Sequence, residues 1–154
     1  MEDLVGVEVL PVATPEAAVQ GSDILVTITN SREPVFDGHL LEPGMHVNAA
    51  GNNGAAKREI DETTIQCADL IVLDNKEQAK MECGELIAAA ANGTFRWAEA
   101  LELHHVVGGK VSGRPSADAV TLFESQGIGI EDTATSAYVL KKAREQGLGQ
   151  ELPF

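Results

Sequence analysis

The chain has 154 residues, enough for one domain with a buried core, and its composition of 44% hydrophobic residues with 15 glycines is typical of a globular α/β protein. Its net charge of −13 argues against nucleic-acid binding, because a phosphate backbone requires a basic surface. No apolar run approaches the roughly 20 residues of a membrane span, and the first residues lack a signal-peptide layout, so we expect a soluble, cytoplasmic protein with no membrane contact.

Patterns typical of strands and helices alternate along most of the chain. In order we predict a strand at residues 5–12, a helix at 15–20, strands at 24–29 and 45–50, a helix at 59–68, a strand at 70–73, helices at 76–91 and 95–107, a strand at 120–123 and a helix at 130–146. The run at 24–29 is almost entirely β-branched, as in a parallel strand covered on both faces. Gly84 is expected to interrupt its helix and Gly147 to end the last one. The alternation predicts a doubly wound α/β domain.

Polar and glycine residues follow three of the predicted strands. They occupy residues 27–31, 48–57 and 121–127. In open α/β sheets, ligands bind at the carboxyl edge of the strands, so these stretches are the candidate site. Asn52 and Asn53 can donate and accept hydrogen bonds, and Lys57 can place a positive charge beside a phosphate. Ordinary turn formation is the alternative explanation, because Asn, Ser and Gly are common in turns.

Several familiar chemical motifs are absent from the sequence. No GxGxxG turn follows the first strand, so the first phosphate-binding βαβ unit of a dinucleotide fold is missing or unrecognisable in the sequence. Cys67 and Cys83 show no metal-binding spacing and are expected to be reduced thiols. His39, His46 and the adjacent pair His104 and His105 do not form a metal-ligand pattern either, so no metal site is predicted.

Three blocks taken in order carry a family resemblance. They are SDILVTITNSREPVF, then EPGMHVNAAGNN with KREID, then TLFESQG followed by IEDTATSAYVLKKAREQGLG. Together they resemble the ornithine cyclodeaminase and mu-crystallin family over residues 9–149. The resemblance implies a three-layer, Rossmann-like parallel sheet that binds NAD or NADP, truncated so that the first βαβ unit and the substrate domain are missing. It treats residues 1–154 as a single partial domain, with the helix at 130–146 packing back on it.

The resemblance also implies roles for individual residues. It places cofactor contacts at Thr29, Asn30 and Ser31, at Asn48, Ala49 and Ala50, and at Lys57 and Ser125. Asn53 stands where cyclodeaminases carry a catalytic aspartate, and an amide cannot act as that base at neutral pH. Two further departures are Glu124, where many members have lysine, and His105, where many have glutamate.

Two functions therefore remain open from the sequence. The first is a truncated domain related to NAD(P)-dependent imine and amino-acid oxidoreductases, which we do not expect to catalyse a reaction alone, so that the sequence leaves open whether the chain is an enzyme. The second is a stand-alone binding or assembly module. Because the truncation removes two strands of the parent sheet, the strand at 5–12 either pairs with the one at 24–29 or leaves an edge open for another copy. We therefore also predict a homodimer or larger homo-oligomer through this edge.

Overall fold

The computed structural model describes residues 6–153, which form an α/β fold around one parallel sheet. The strands are β1 (Ile24–Thr27), β2 (His46–Ala49), β3 (Leu70–Leu73), β4 (Leu101–Glu102) and β5 (Thr121–Glu124). The helices are α1 (Pro15–Val19), α2 (Glu62–Cys67), α3 (Lys76–Glu82), α4 (Gly84–Asn92), α5 (Leu103–Val107) and α6 (Gly129–Glu145), with a 3₁₀ turn at Gly38–Leu40. The sheet order is β1-β2-β5-β3-β4, which confirms the predicted parallel Rossmann-like sheet.

One face of the sheet holds the core. Val47, Leu73 and Leu122 point to this face from three neighbouring strands and are almost completely buried. Helices α2, α3 and α4 cover it, and Leu86 of α4 is among the buried residues of the core. Each such side chain contributes about 1.5–3 kcal/mol by leaving water. Side chains cap the starts of α1, α2 and α3; in α2, Asp61 accepts a hydrogen bond from the backbone N–H of Thr64 at 2.7 Å.

The opposite face of the sheet is partly open. Ile24 and Val26 of the edge strand β1 are 63% and 56% exposed, although a parallel sheet is usually covered on both faces. A groove of about 570 Å³ runs across this face, bounded on one side by α5. Its lining includes His46, Asn48, Val72, Leu103, Val106 and Phe123. The described part of the chain therefore leaves both the β1 edge and the adjoining sheet surface uncovered.

Two predicted elements are wrong. The strand at 5–12 does not form in residues 6–12, which are exposed and without regular structure, while residue 5 lies outside the described part. A strand needs a hydrogen-bonding neighbour, and no described strand pairs with β1 on its open side. The helix at 95–107 forms only as α5, because residues 101–102 instead pair with Val72 and Leu73 of β3. Buried Phe95 and Ala100 anchor the turns that precede this pairing.

The other predicted elements form, most of them with shorter or slightly shifted bounds. The helix at 59–68 begins only at Glu62, and the helix at 76–91 is divided at Cys83, one residue before the expected break at Gly84. The last helix forms as α6, and Gly147 follows it with a φ of 63°. None of its residues is buried, so its packing back on the domain stays a prediction. No helix within residues 6–153 combines the length and apolar character needed to span a bilayer.

Candidate functional site

The three polar stretches meet at the carboxyl edge of the sheet, as predicted. Thr27, Ala49 and Glu124 stand side by side at the ends of β1, β2 and β5. The backbone bonds continue past the strands: the N–H of Ala50 donates to the carbonyl of Thr27 at 2.9 Å, and the N–H of Ser125 donates to the carbonyl of Ala49 at 3.0 Å. The loops that follow these strands are therefore direct neighbours.

A buried carboxylate, Glu59, joins the first two loops from inside. It is completely buried and accepts hydrogen bonds from the hydroxyl of Thr27 at 3.1 Å, from the backbone N–H of Thr29, and from the backbone N–H of Gly51 at 2.7 Å. A Cβ atom at Gly51 would collide with the backbone of Thr29 and with the Glu59 carboxylate. Glycine is therefore required here for the two loops to approach so closely.

A second buried carboxylate, Glu85, holds the loop that carries Lys57. It accepts from the backbone N–H of Glu59 at 3.0 Å and from the side-chain amide of Asn52. The same amide nitrogen donates to the carbonyl of Lys57 at 2.9 Å, and the Asn52 oxygen accepts from the N–H of Gly54 at 2.9 Å. Asn52 is thus the centre of the loop, buried within it and unable to reach a ligand.

The third loop is fixed by Asp74, which follows β3. One oxygen of this carboxylate accepts from the hydroxyl of Ser125 at 2.9 Å and from the backbone N–H groups of Gln126 and Gly127 at 3.0 and 2.9 Å. Each bond to a charged acceptor contributes about 1.5–3 kcal/mol. Asp74 therefore sets the course of the loop after β5.

Glu124 lies beneath these loops and is completely buried. Burial, with the neighbouring charge of Glu85 as the next contribution, raises the pKa of Glu124 well above its ordinary value. Its Oε2 lies 3.5 Å from the sulfur of Cys83, and burial likewise raises the pKa of this thiol. The interior of the site therefore contains buried acidic side chains.

The structure brings most of the predicted cofactor-contacting residues to this edge. Thr29, Asn30 and Ser31 follow β1 and have partly or fully exposed side chains, as do Lys57 and Ser125 on the neighbouring loops. The side chain of Asn48 instead lies on the open face against His46, at 3.3 Å, and Ala49 is buried against the core. Ala50 begins the second loop, and Asn53 is exposed at its tip. The outer surface of the site offers amides, hydroxyls and one lysine.

The buried carboxylates are the part of the site that sequence patterns did not reveal. In the sequence, Glu59 is the first residue of the helix predicted at 59–68, and Asp74 directly follows the strand predicted at 70–73. Glu85 lies in a helix rich in alanine and charge, where a solvated side chain is the ordinary expectation. A weak signal existed for two of them, since Asp74 directly follows the strand at 70–73 and Glu85 directly follows Gly84. Their partners, however, are separated from them by up to 53 residues.

Comparisons with known proteins agree with this geometry. The sequence pattern of the ornithine cyclodeaminase/mu-crystallin family matches residues 1–147. The Δ1-pyrroline-2-carboxylate reductase of Bacillus cereus is 35% identical over 142 residues, which cover 91% of this chain and 43% of the reductase.

Two solved structures share the fold. The Thermococcus litoralis Δ1-pyrroline-2-carboxylate reductase, in complex with NADH and L-proline, has a TM-score of 0.90 at 34% identity, covering 98% of this chain and 47% of that one. An archaeal alanine dehydrogenase dimer with bound NAD has a TM-score of 0.81 at 34% identity, covering 94% and 44%. This chain thus spans less than half the length of these relatives. It belongs to the ornithine cyclodeaminase/mu-crystallin family.

Proposed function

We propose that this chain supplies the nicotinamide-side part of the dinucleotide site of an NAD(P)-dependent oxidoreductase that acts on imines or amino acids. In this proposal Thr29, Asn30 and Ser31 border the cofactor from one side, and Lys57 and Ser125 border it from the other. Ala49 contributes only its backbone. Asn53 occupies the position of the family's catalytic aspartate and cannot take a proton, so the reaction is a hydride transfer and not the deaminative ring closure of the cyclodeaminases.

The observation that carries the proposal is the meeting of three loops at one edge of the sheet, each held by a buried carboxylate. Such an edge is where open α/β sheets bind ligands. The two similar structures described above carry NADH or NAD. Among residues 6–153, Lys57 has no ion-pair partner, which leaves its ammonium group available for a phosphate.

The rest of the cofactor site has to come from another polypeptide segment. The relatives are more than twice as long as the stretch that this chain matches. The phosphate-binding glycine turn and the substrate domain belong to that remaining portion. The chain alone is therefore not a catalyst, and its activity depends on the segment that completes the fold. Both cysteines are free thiols, which supports a place in the reducing cytoplasm.

A chimera tests the cofactor proposal. This chain replaces the matched segment of the Bacillus cereus reductase, and NADH and NADPH are titrated by calorimetry. We expect binding, and we expect Lys57→Gln to weaken it roughly tenfold or more, since a hydrogen bond to a charged group contributes about 1.5–3 kcal/mol. The exposed Lys80, which pairs with Glu77, provides the control Lys80→Gln. A folded chimera that binds neither cofactor would refute the proposal, as would equal affinities of the two variants.

We further propose that the isolated chain forms a homo-oligomer through β1. Its support is the open edge of this strand, together with Ile24, Val26 and Ile28, which are 63%, 56% and 73% exposed. An uncovered strand with apolar side chains is a site for pairing with another chain. The open edge of β1, with its exposed apolar side chains, is the specific observation that favours the second function, a stand-alone assembly module.

Light scattering over a range of concentrations tests this second proposal. We expect a dimer or larger species, and we expect Val26→Lys to shift it to monomer because a lysine on the edge opposes strand pairing. Met81→Lys is the matched control, since Met81 is 68% exposed on α3, far from the edge in sequence and on another element. A monodisperse monomer at every concentration would contradict the proposal, and so would an oligomer that Val26→Lys leaves intact.

A further inference from the structure

Three possible metal ligands meet in the interior beneath the loops. Cys83 lies between α3 and α4, Glu85 in the first turn of α4, and Glu124 at the end of β5. Their ligand atoms all lie within 4.8 Å of one another, and each residue is 2% exposed or less. We refer to these three residues as the Cys83 cluster. The proposed cofactor contacts at the surface do not use it.

The charge of this cluster is not balanced by protein groups. Two carboxylates point into it, and a third, Glu59, is close enough to contribute to the raised pKa of Glu124. None of the ion pairs formed by residues 6–153 includes these carboxylates. Burying a carboxylate without a partner is costly, so the cluster requires either a cation or a bound proton.

One buried oxygen of the cluster lacks a hydrogen-bond partner among residues 6–153. This oxygen is Glu124 Oε1, whereas Oε2 of the same carboxylate lies 3.5 Å from the Cys83 sulfur. Buried polar atoms are almost always paired, so an unpaired carboxylate oxygen indicates a missing partner. For Glu124 Oε1 this partner has to be a positive charge or a hydrogen-bond donor.

The spacing of the ligands suits a single tetrahedral ion. The Cys83 sulfur lies 3.5 Å from Glu124 Oε2 and 3.8 Å from Glu85 Oε2. With metal–sulfur and metal–oxygen bonds of about 2.3 and 2.0 Å, the edge of a tetrahedron between these ligands is about 3.5 Å. Glu85 Oε2 also accepts from the Asn52 amide, which orients it as a second-layer hydrogen bond does in metal sites.

We propose that Cys83, Glu85 and Glu124 bind one Zn²⁺ ion, with Glu124 Oε1 or a water molecule completing the coordination. A thiolate with carboxylates selects Zn²⁺ and related transition-metal ions over Mg²⁺ or Ca²⁺, which prefer oxygen ligands alone. On binding, the S–H bond of Cys83 breaks, its proton passes to the solvent, and the thiolate forms a bond to the metal. The Zn²⁺ ion offsets two of the three negative charges of the thiolate and the two carboxylates and, through Glu85 and Asn52, braces the loop that carries Lys57.

Titration of the full chain with Co²⁺ tests the proposal after a chelator has removed bound metal. We expect one ion per chain, a thiolate-to-cobalt charge-transfer band, visible bands typical of tetrahedral cobalt, and displacement by Zn²⁺. Proton release measured in weak buffer should accompany binding. Added Zn²⁺ should raise the melting temperature, because it binds the folded chain.

Matched variants assign the ligands. Cys83→Ser should abolish the charge-transfer band, and Glu124→Gln, which keeps the size of the side chain, should weaken binding by at least about tenfold. Cys67→Ser removes the exposed thiol and His105→Gln disrupts a second, more exposed cluster formed by Glu102, His104 and His105. Both should bind as the unaltered chain does.

Three results would overturn the proposal. One is the absence of Co²⁺ and Zn²⁺ binding by the folded chain, which would show that bound protons alone balance the charge of the cluster. Another is a band that survives Cys83→Ser and disappears with Cys67→Ser. The third is binding that only His105→Gln removes. Circular dichroism of each variant establishes that it is folded before binding is compared.

Discussion

Glu59→Gln provides the sharpest test of how the site is held together. The carboxylate accepts three hydrogen bonds, two of them from the backbone N–H groups of Thr29 and Gly51 on different loops. An amide has one acceptor and one donor end, so in either orientation its NH₂ group faces a backbone N–H that cannot accept.

The magnitude follows from these contacts. One buried backbone donor left unpaired costs about 1–3 kcal/mol, and the remaining bonds lose their ionic character. The substitution also removes a charge that acts on Glu124, but Glu85 and burial act on that group more strongly. The lost hydrogen-bond energy therefore exceeds the gain from weaker charge repulsion at Glu124, and we expect Glu59→Gln to destabilise the fold by about 2–4 kcal/mol. At about 2–4 °C per kcal/mol, the melting temperature should fall by roughly 5–15 °C.

The assay combines urea unfolding with hydrogen exchange of individual amides. The amides of Thr29 and Gly51 should exchange faster in Glu59→Gln, whereas that of Val47 in the neighbouring strand should follow only the change in overall stability. Glu77→Gln is the control, because Glu77 is 78% exposed and pairs only with Lys80 on the surface of α3. A destabilisation below about 0.5 kcal/mol, the scale of surface substitutions, would refute the reasoning, as would unchanged exchange at both amides.

Three further substitutions test other contacts. Gly51→Ala should destabilise the fold by about 3 kcal/mol in urea unfolding, because its Cβ atom meets backbone that cannot move aside, whereas Gly129→Ala, in open space, should change stability by less than about 1 kcal/mol. Asp74→Asn should cost about 1–3 kcal/mol and release the loop after β5, measured as faster amide exchange there; unchanged exchange would contradict the assigned role. Burial raises the pKa of the Glu124 carboxyl in the folded chain well above its ordinary value of 4.5. The contribution of this carboxyl to stability is therefore complete below pH 4.5 and is lost as the pH rises towards the folded-state pKa. Metal-free Glu124→Gln should therefore match the unaltered chain at pH 4 and exceed it at pH 7, and a constant difference between these pH values in urea unfolding would count against the assignment.

The elements that sequence reasoning found are those with strong local signals. The LIVL run forms β3 with the predicted bounds, because a continuous apolar segment next to a capped helix has few alternatives. The segment at 95–107 lacks such a signal, because Arg96, Glu99 and Glu102 interrupt its apolar residues. There the pairing of Leu101 with Val72 decides the conformation, and this contact joins residues 29 positions apart. Local patterns do not contain that information.

The candidate site also contains residues whose positions could be predicted from the sequence and residues whose roles could not. The positions of Thr29, Lys57 and Ser125 at one edge could be predicted, because strand ends in a parallel sheet share an edge and the family resemblance orders the strands. The roles of Glu59 and Asp74 could not, since a carboxylate reads as a solvated charge until its partners are placed around it. Burial and donor geometry are properties of the assembled fold.

The internal carboxylates have a consequence for how this site can evolve. Glu59 and Asp74 fix the backbone of the loops through their N–H groups, which every residue except proline possesses. The hydroxyls of Thr29 and Ser31 add to this support, since they accept hydrogen bonds from the backbone N–H groups of Ser31 and Glu33 at 3.1 and 3.2 Å. Within residues 6–153, the exposed side chain of Asn30 forms no hydrogen bond. Position 30 can therefore vary while the scaffold stays rigid, so its side chain can be selected separately from the stability of the loop.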